Sequence, residues 1–97
     1  MTGAMGMLGL CARAGKLVSG EEMCVKAIRK GTVQLAIIDK GASANAKKAM
    51  GDACRSADVK LLTMPEGQLG QAIGKPGRMA AAIRDAGFAE RLIQYLS

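Results

Sequence analysis

The stretch that decides the fold runs from Ser19 to Gly31 and reads SGEEMCVKAIRKG. A serine followed three residues later by Glu22 has the spacing of a capping box, which predicts a helix that begins at Ser19 and ends at Gly31. At about 100° per residue, one side of this helix is apolar and the other is charged. The apolar side comprises Met23, Cys24, Val25, Ala27 and Ile28, and the charged side comprises Glu22, Lys26, Arg29 and Lys30.

The charged side of this helix has two interpretations. A basic arc at a helix start, where backbone N–H groups have no intrahelical partner, suits an anionic ligand. Alternatively, the helix is an ordinary solvated one, with an ion pair between Glu22 and Lys26 at i, i+4 spacing.

The rest of the chain alternates helical and extended patterns. The apolar run Gln34 to Asp39 lacks a polar face, which is typical of a strand covered by helices on both sides. Together these patterns predict an α/β domain with a small, at least partly parallel sheet between helices. Besides the helix from Ser19, the predicted helices cover 5–13, 43–57, 66–73 and a last segment that includes 88–96. The predicted strands cover 16–18, 34–39, 59–64 and 79–83, and a loop is predicted at 74–77.

Length and charge restrict the possibilities further. Ninety-seven residues suit one domain spanning 1–97. The net charge is +6, and the first 48 residues contribute +5 of it, with eight of the basic and three of the acidic residues. Such an uneven basic charge favours a polyanionic partner, either RNA, DNA or an anionic membrane surface.

Candidate catalytic groups are scarce. The chain has no His and three scattered cysteines, which argues against a metal site and against a nucleophile with a His base. Glu21 and Glu22 are adjacent on the predicted helix and point about 100° apart, so they do not form a shared acid–base pair. The P-loop pattern also fails, because Lys75 is followed by Pro76. We therefore expect neither an enzyme nor a bound cofactor.

Cysteine usage and hydropathy bear on the compartment. Three cysteines without paired spacing predict buried, reduced thiols rather than disulfides. No basic segment precedes a long apolar run, and no apolar window approaches 18 residues, so neither a signal peptide nor a membrane span is expected. A cytoplasmic location is the consistent expectation.

Two motifs carry a family resemblance. The segment AGKLVSGEE, continuing as SGEEMCVKAIRKG, precedes a strand, and QLGQAIGK precedes an alanine-rich strand. Together they resemble the kink-turn-binding ribosomal protein family of archaeal and eukaryotic large subunits, and most closely its short bacterial members, from about Met7 to Leu96. The resemblance implies a three-layer α-β-α sandwich with a small mixed sheet of about four strands. It also implies binding of structured RNA, ribosomal or translation-associated, through a sharply bent internal loop with sheared G·A pairs; we expect a monomer.

The resemblance also implies which residues meet the RNA. Gly20 matches the family glycine at the helix entry, where a missing side chain lets the RNA backbone come near, and Lys26 matches the family lysine. In relatives, the loop corresponding to Lys75, Pro76 and Gly77 packs against bulged nucleotides. The full set of candidate RNA-binding residues is Lys16, Ser19, Gly20, Glu22, Met23, Lys26, Arg29, Lys30, Lys75, Pro76, Gly77 and Arg78.

One position departs from the family pattern. Many relatives have Asn followed by Glu where this chain has Glu22 followed by Met23. A carboxylate cannot donate to guanine O6 as an Asn amide can, although it can accept from base amino groups. Alternatively, Glu22 completes the capping box and Met23 lies in the core, with the RNA held by Lys26 and the loop.

Two other function classes stay open at this point. The basic helix also suits an acidic protein partner in ribosome assembly or translation. A deep polar pocket lined by carboxylates would favour a small-molecule enzyme instead.

Overall fold

The structure is a computed structural model that describes residues 3–96. Five helices alternate with four strands along the chain. The elements are α1 (Ala4–Arg13), β1 (Leu17–Ser19), α2 (Glu21–Arg29), β2 (Leu35–Asp39), α3 (Ala44–Ala57), β3 (Leu61–Met64), α4 (Gln68–Ile73), β4 (Ala80–Ile83) and α5 (Ala86–Leu96).

The strands form one mixed sheet in the order β1-β4-β2-β3. Strands β2 and β3 are parallel, whereas β4 runs antiparallel to both β1 and β2. The prediction of a small, partly parallel sheet is confirmed, and the structure supplies the strand order. Strand β4 lies between β1 and β2, where Ala80, Ala81 and Ala82 are all buried.

Helices cover both faces of the sheet. Side chains alternate along a strand, so in β2 Ala36 and Ile38 face α2 and α3, while Leu35 and Ile37 face the layer built from α1, α4 and α5. All five residues of β2 are buried. The three-layer α-β-α sandwich is therefore confirmed. Among residues 3–96, no helix is both long and apolar enough to cross a membrane.

The predicted start of α2 is wrong. Ser19 is the last residue of β1, where it pairs with Ala81, and the N-cap is Gly20, which has φ 93° and ψ 139° and offers no capping side chain. The strand continues into Gly20, whose N–H donates to the carbonyl of Ala80 at 2.9 Å. Sheet pairing therefore replaces the local capping box, at a backbone conformation that only glycine adopts readily.

The predicted core position of Met23 is also wrong, because Met23 is 55% exposed. The buried face of α2 is narrower than the hydrophobic periodicity predicted, and Cys24 and Ile28 are its fully buried residues. The cations are also not at the helix start: Glu21 and Glu22 occupy the first turn, and Lys26 and Arg29 occupy the last. This order complements the helix dipole.

Four of the connections between strands and helices lie at the same end of the sheet. The β1–α2 junction lies beside the start of β4 through the Gly20 to Ala80 hydrogen bond, and Asp39 N–H at the end of β2 donates to the Met79 carbonyl at 2.8 Å. The buried carboxylate of Asp39 accepts from the N–H of Gly41 at 2.7 Å and of Gly67 at 2.8 Å. One buried acid thus joins the β2–α3 and β3–α4 connections at this end.

Candidate nucleic-acid interface

The loop between α4 and β4 has a defined backbone. Helix α4 ends at Gly74, which has φ 73°. The N–H of Lys75 donates to the Gly70 carbonyl at 2.9 Å, and the N–H of Gly74 donates to the Gln71 carbonyl at 3.3 Å. This pair of bonds is the Schellman arrangement, which requires a left-handed residue where Gly74 stands.

A tight turn follows at Lys75 to Arg78. The N–H of Arg78 donates to the Lys75 carbonyl at 3.1 Å, and the two central residues are Pro76 and Gly77, the latter with φ 90°. Proline then glycine with positive φ is typical of a type II turn. The turn folds back onto α4, because a Cβ added to Gly70 would lie 2.8 Å from the Lys75 carbonyl oxygen. The loop 74–78 is therefore ordered by its own sequence.

The loop contacts the entry of α2 through one side chain. Nη1 of Arg78 donates to the backbone carbonyl of Ser19 at 3.2 Å and lies 3.3 Å from its hydroxyl oxygen. A Cβ added to Gly20 would lie 3.0 Å from the same nitrogen. The two segments that the sequence indicated separately, almost sixty residues apart, are thus in direct contact.

A cleft of about 600 Å³ opens beside this contact. Helix α1, strand β1, the first turn of α2 and the end of α4 form its walls. Its charged lining residues are all cations, and the polar and apolar groups around them include an amide, a hydroxyl and a thioether. The residues that matter here are Arg13, Ser19, Met23, Gln71, Lys75 and Arg78. This is not the carboxylate-lined pocket that would favour an enzyme.

The other candidate residues lie at different places. Gly20 adjoins the cleft behind Arg78, and Pro76 and Gly77 pack over Gly70. Glu22 and Lys26 are exposed at i, i+4 on α2, with no mutual ion pair among residues 3–96. The predicted Glu22 to Lys26 pair is therefore wrong; the ion pairs found join Asp52 to Lys48 and Arg55.

Three candidate cations are remote from the contact. Arg29 and Lys30 lie at the far end of α2, about 14 Å along the axis from Gly20 at 1.5 Å per residue. Lys16 lies beyond the opposite end of β1, where its carbonyl accepts from the Arg84 N–H at 2.8 Å. The structure therefore brings together Ser19, Gly20, Met23, Lys75 and Arg78 and leaves these three cations outside that group.

The sequence of this chain matches a known protein family over most of its length. Residues 4–93 match the Ribosomal protein L7Ae/L30e/S12e/Gadd45 family. This chain belongs to that family. The resemblance indicated by its two motifs is thereby confirmed, over nearly the whole chain.

Individual relatives agree with this assignment. The chain is 38% identical over 91 residues to the RNA-binding protein YlxQ of Bacillus subtilis (strain 168), covering 93% of this chain and 91% of that one. It is 37% identical over 89 residues to the RNA-binding protein YlxQ of Enterococcus faecium, covering 91% and 85%. The resemblance to short bacterial members is confirmed by these matches.

Solved structures show the same fold. A protein of unknown function from Bacillus halodurans C superposes with a TM-score of 0.90 at 38% identity, covering 95% of this chain and 94% of that one. The Giardia lamblia 15.5kD RNA binding protein superposes with a TM-score of 0.74 at 19% identity, covering 94% and 82%. At that identity the second likeness shows the fold alone.

Sequence reasoning missed two residues with polar side chains that line the cleft in this L7Ae-family chain, Arg13 and Gln71. Arg13 ends the predicted first helix and Gln71 lies in the motif QLGQAIGK, and neither pattern predicts a role in binding. Both line the cleft because α1 and α4 pack closely. A Cβ added to Gly9 would lie 3.1 Å from the Ala72 carbonyl oxygen, a tight contact between these two helices. A glycine inside a predicted helix was the available signal for this close approach.

The three thiols near the core are not reactive groups. Burial, then the proximity of Cys54, raises the pKa of Cys24 to about 12, although Arg78 opposes the shift. Burial, then Asp85, raises the pKa of Cys11 to about 11, and burial also raises the pKa of Cys54. A neutral thiol is a poor nucleophile and metal ligand. Within residues 3–96, no cluster of His, Cys, Asp or Glu could hold a metal ion.

Proposed function

We propose that this protein is a non-catalytic RNA-binding protein whose ligand is a folded RNA with a sharply bent internal loop containing sheared G·A pairs. The observation that carries the proposal is the contact of Arg78 with Ser19. It joins the α2 entry and the α4–β4 loop beside a cleft whose charged residues are all cations. The YlxQ relatives, named as RNA-binding proteins, support the same ligand class.

The two segments offer the kinds of groups that RNA needs. The entry of α2 has no capping side chain, so no side chain competes with phosphate or base acceptors for the first backbone N–H groups of this helix. Lys75 and Arg13 on the cleft, and Lys26 on the exposed side of α2, supply mobile positive charge for phosphates. These contacts would set affinity and register.

Base recognition in this proposal relies on hydrogen bonds and apolar contact. The chain has only two aromatic residues, Phe88 and Tyr95, and neither lines the cleft. Stacking platforms, which many single-strand binders use, are therefore not available there. The amide of Gln71 and the exposed thioether of Met23 are the groups positioned to read or cover a base.

Glu22 sets the finer specificity. The alternative that it completes a capping box loses its basis, because Gly20 is the N-cap and α2 has no side-chain cap. The exposed carboxylate of Glu22 then faces solvent beside the proposed RNA surface and can accept from a guanine or cytosine amino group. We propose a bent RNA that offers such a donor, bound by a monomer in the cytoplasm and associated with ribosomes or translation.

A salt titration tests the proposal. Gel shifts would compare a kink-turn RNA with an unbent duplex of matched composition between 50 and 200 mM salt, a range over which phosphate-dependent binding is expected to fall by about 10³-fold for six contacts. We expect tighter binding to the bent RNA and a linear decrease of log K with log salt. Equal binding to both RNAs would contradict the bent-loop specificity, and no binding to either would contradict RNA binding.

An acidic protein partner is the second candidate. The observation that favours it is Met23, whose exposed thioether at the edge of a cationic cleft is typical of adaptable protein contacts. An acidic partner in ribosome assembly or translation would then occupy the same cleft. Competition tests whether the two ligands share the cleft: a folded RNA displaces such a partner only if both use this face.

A further inference from the structure

Arg78 differs from the other cations near the cleft in having fixed partners on another segment. Its Nη1 donates to the Ser19 carbonyl at 3.2 Å and lies 3.3 Å from the Ser19 hydroxyl. Both acceptors are neutral, so the guanidinium is held by geometry and not by an opposite charge. The contact spans 59 residues of sequence and joins the loop to the last residue of β1.

Gly20, which has no side chain, lies directly beside the guanidinium of Arg78. Nη1 of Arg78 lies 3.0 Å from the position that a Cβ on residue 20 would take. The family interpretation of this glycine is that the missing side chain lets the RNA backbone approach. In this chain the guanidinium lies beside that open position, so the missing side chain also leaves room for a contact within the protein.

The loop has few other ties to the entry of α2. Its internal bonds run back to α4, from Lys75 to Gly70 and from Gly74 to Gln71, and these fix its shape without fixing its position against α2. The backbone bond from Gly20 to Ala80 joins the junction to β4, two residues beyond Arg78. Among residues 3–96, the hydrogen bonds of the Arg78 side chain are therefore the direct tie between the loop and the junction.

We propose that Arg78 is a positioning residue that holds the loop 74–78 against the β1–α2 junction, so that both segments meet the RNA as one preorganised surface. This inference rests on the proposed function. Removing the tie lets the loop sample other positions, and binding must then pay the cost of ordering it. A residue that merely contacted phosphate would act through its charge, which lysine retains.

The test is Arg78→Lys, which keeps the charge and loses the planar guanidinium geometry. We expect the dissociation constant for the kink-turn RNA to rise about tenfold, the worth of one to two hydrogen bonds, with the salt slope of the parent protein. Lys75→Ala is the comparison for a plain phosphate contact, and we expect it to reduce the salt slope by about one. Melting curves would confirm that each variant is folded at the assay temperature.

Arg84→Lys is the matched control. Arg84 makes the same kind of bond, from Nη2 to the Gly15 carbonyl at 2.9 Å, but at the opposite end of β1 and β4. We expect no change in RNA affinity from this variant. An equal loss from Arg84→Lys and Arg78→Lys would show a general effect on folding and overturn the positioning role.

A second measurement requires no RNA. The Gly20 amide, bonded to Ala80, should exchange its hydrogen faster in Arg78→Lys than in the parent, because the junction loses its tie. Ser19→Ala, which removes one of the two acceptors, should give a smaller change in the same direction. Parent-like affinity and exchange in Arg78→Lys would overturn the inference and leave the proposed function standing, whereas failure of the parent protein to bind RNA would overturn both.

Discussion

Helices α2 and α3 begin at the same end of the sheet, but their first turns are capped differently. Helix α3 starts at Ser43, whose hydroxyl accepts from the Ala46 N–H at 3.1 Å. Helix α2 starts at Gly20, with positive φ and no side-chain cap, even though a serine directly precedes it. Both helices pack on the same face of the sheet.

The two helix starts differ in how their first backbone N–H groups are satisfied. Ser43 satisfies one of the unpaired N–H groups of α3, which is worth about 1 kcal/mol. Ser19 is instead held in β1 and faces Arg78, so the N–H groups at the start of α2 have no side-chain cap. The capped start of α3 therefore serves as the control for the RNA-binding role that we propose for the uncapped start of α2.

The largest expected effect comes from Gly20→Ala. Positive φ disfavours any side chain at this position, and the new methyl would also meet Arg78, so we expect a loss of unfolding free energy of about 1–3 kcal/mol together with weaker RNA binding. Gly31→Ala is the control, because Gly31 has φ 80° with open space around it. Denaturant titration of both variants measures the difference; an equal cost would mean that the Arg78 contact contributes nothing.

Lys26→Ala should come next in size, with an effect on binding alone. Lys26 is exposed on α2, and losing its contact to phosphate or a base edge should cost about 1–3 kcal/mol of RNA affinity without unfolding the protein. Lys47→Ala removes an equally exposed cation from the start of α3 and should leave affinity unchanged. Similar losses in both variants, measured by gel shift, would indicate a diffuse charge effect instead of a site.

The two serines should respond in opposite ways. Ser43→Ala removes a real cap and should lower the unfolding free energy by about 1 kcal/mol while RNA affinity stays unchanged. Ser19→Ala removes no cap, so its effect should fall mainly on binding. Thermal melts and gel shifts on both variants check this; a larger stability loss for Ser19→Ala would restore the capping role that its sequence position suggested.

The smallest effect is expected at Glu22. Glu22→Asn exchanges an acceptor-only carboxylate for an amide that can donate to guanine O6, and should strengthen binding to a standard kink-turn RNA a few-fold. Glu21→Asn is the control, because it removes the same charge from the neighbouring position. If Glu22→Asn binds more weakly than the parent while Glu21→Asn does not, the carboxylate of Glu22 makes a productive contact.

The layers of this fold could be predicted from the sequence, whereas the strand order and the details at the α2 entry could not. The apolar run of β2 indicates helices on both faces because no polar side is left for water. The capping-box spacing at Ser19 was misleading, because pairing of β1 with β4 is a contact across more than sixty residues that no local pattern contains. Tertiary pairing decided that position.

The candidate site shows the same division. Gly20, Gly70 and Gly74 are conspicuous in the sequence, and the structure gives each a reason in backbone conformation or close approach. Arg13 was not identified, because its place on the cleft depends on how α1 packs against α4. Met23 was misplaced because the apolar side of a short helix is too narrow to set its boundary from periodicity alone.

Backbone amide NMR during titration with a folded kink-turn RNA tests the central claim most directly, since it reports on both helix starts at once. We expect large shift changes at 20–26 and at the four loop residues of 74–78 that have an amide hydrogen, at the same RNA concentration, and little change at 43–47 at the start of α3. Changes centred on α3, or changes at α2 without the loop, would contradict a single surface built from the α2 entry and the α4–β4 loop.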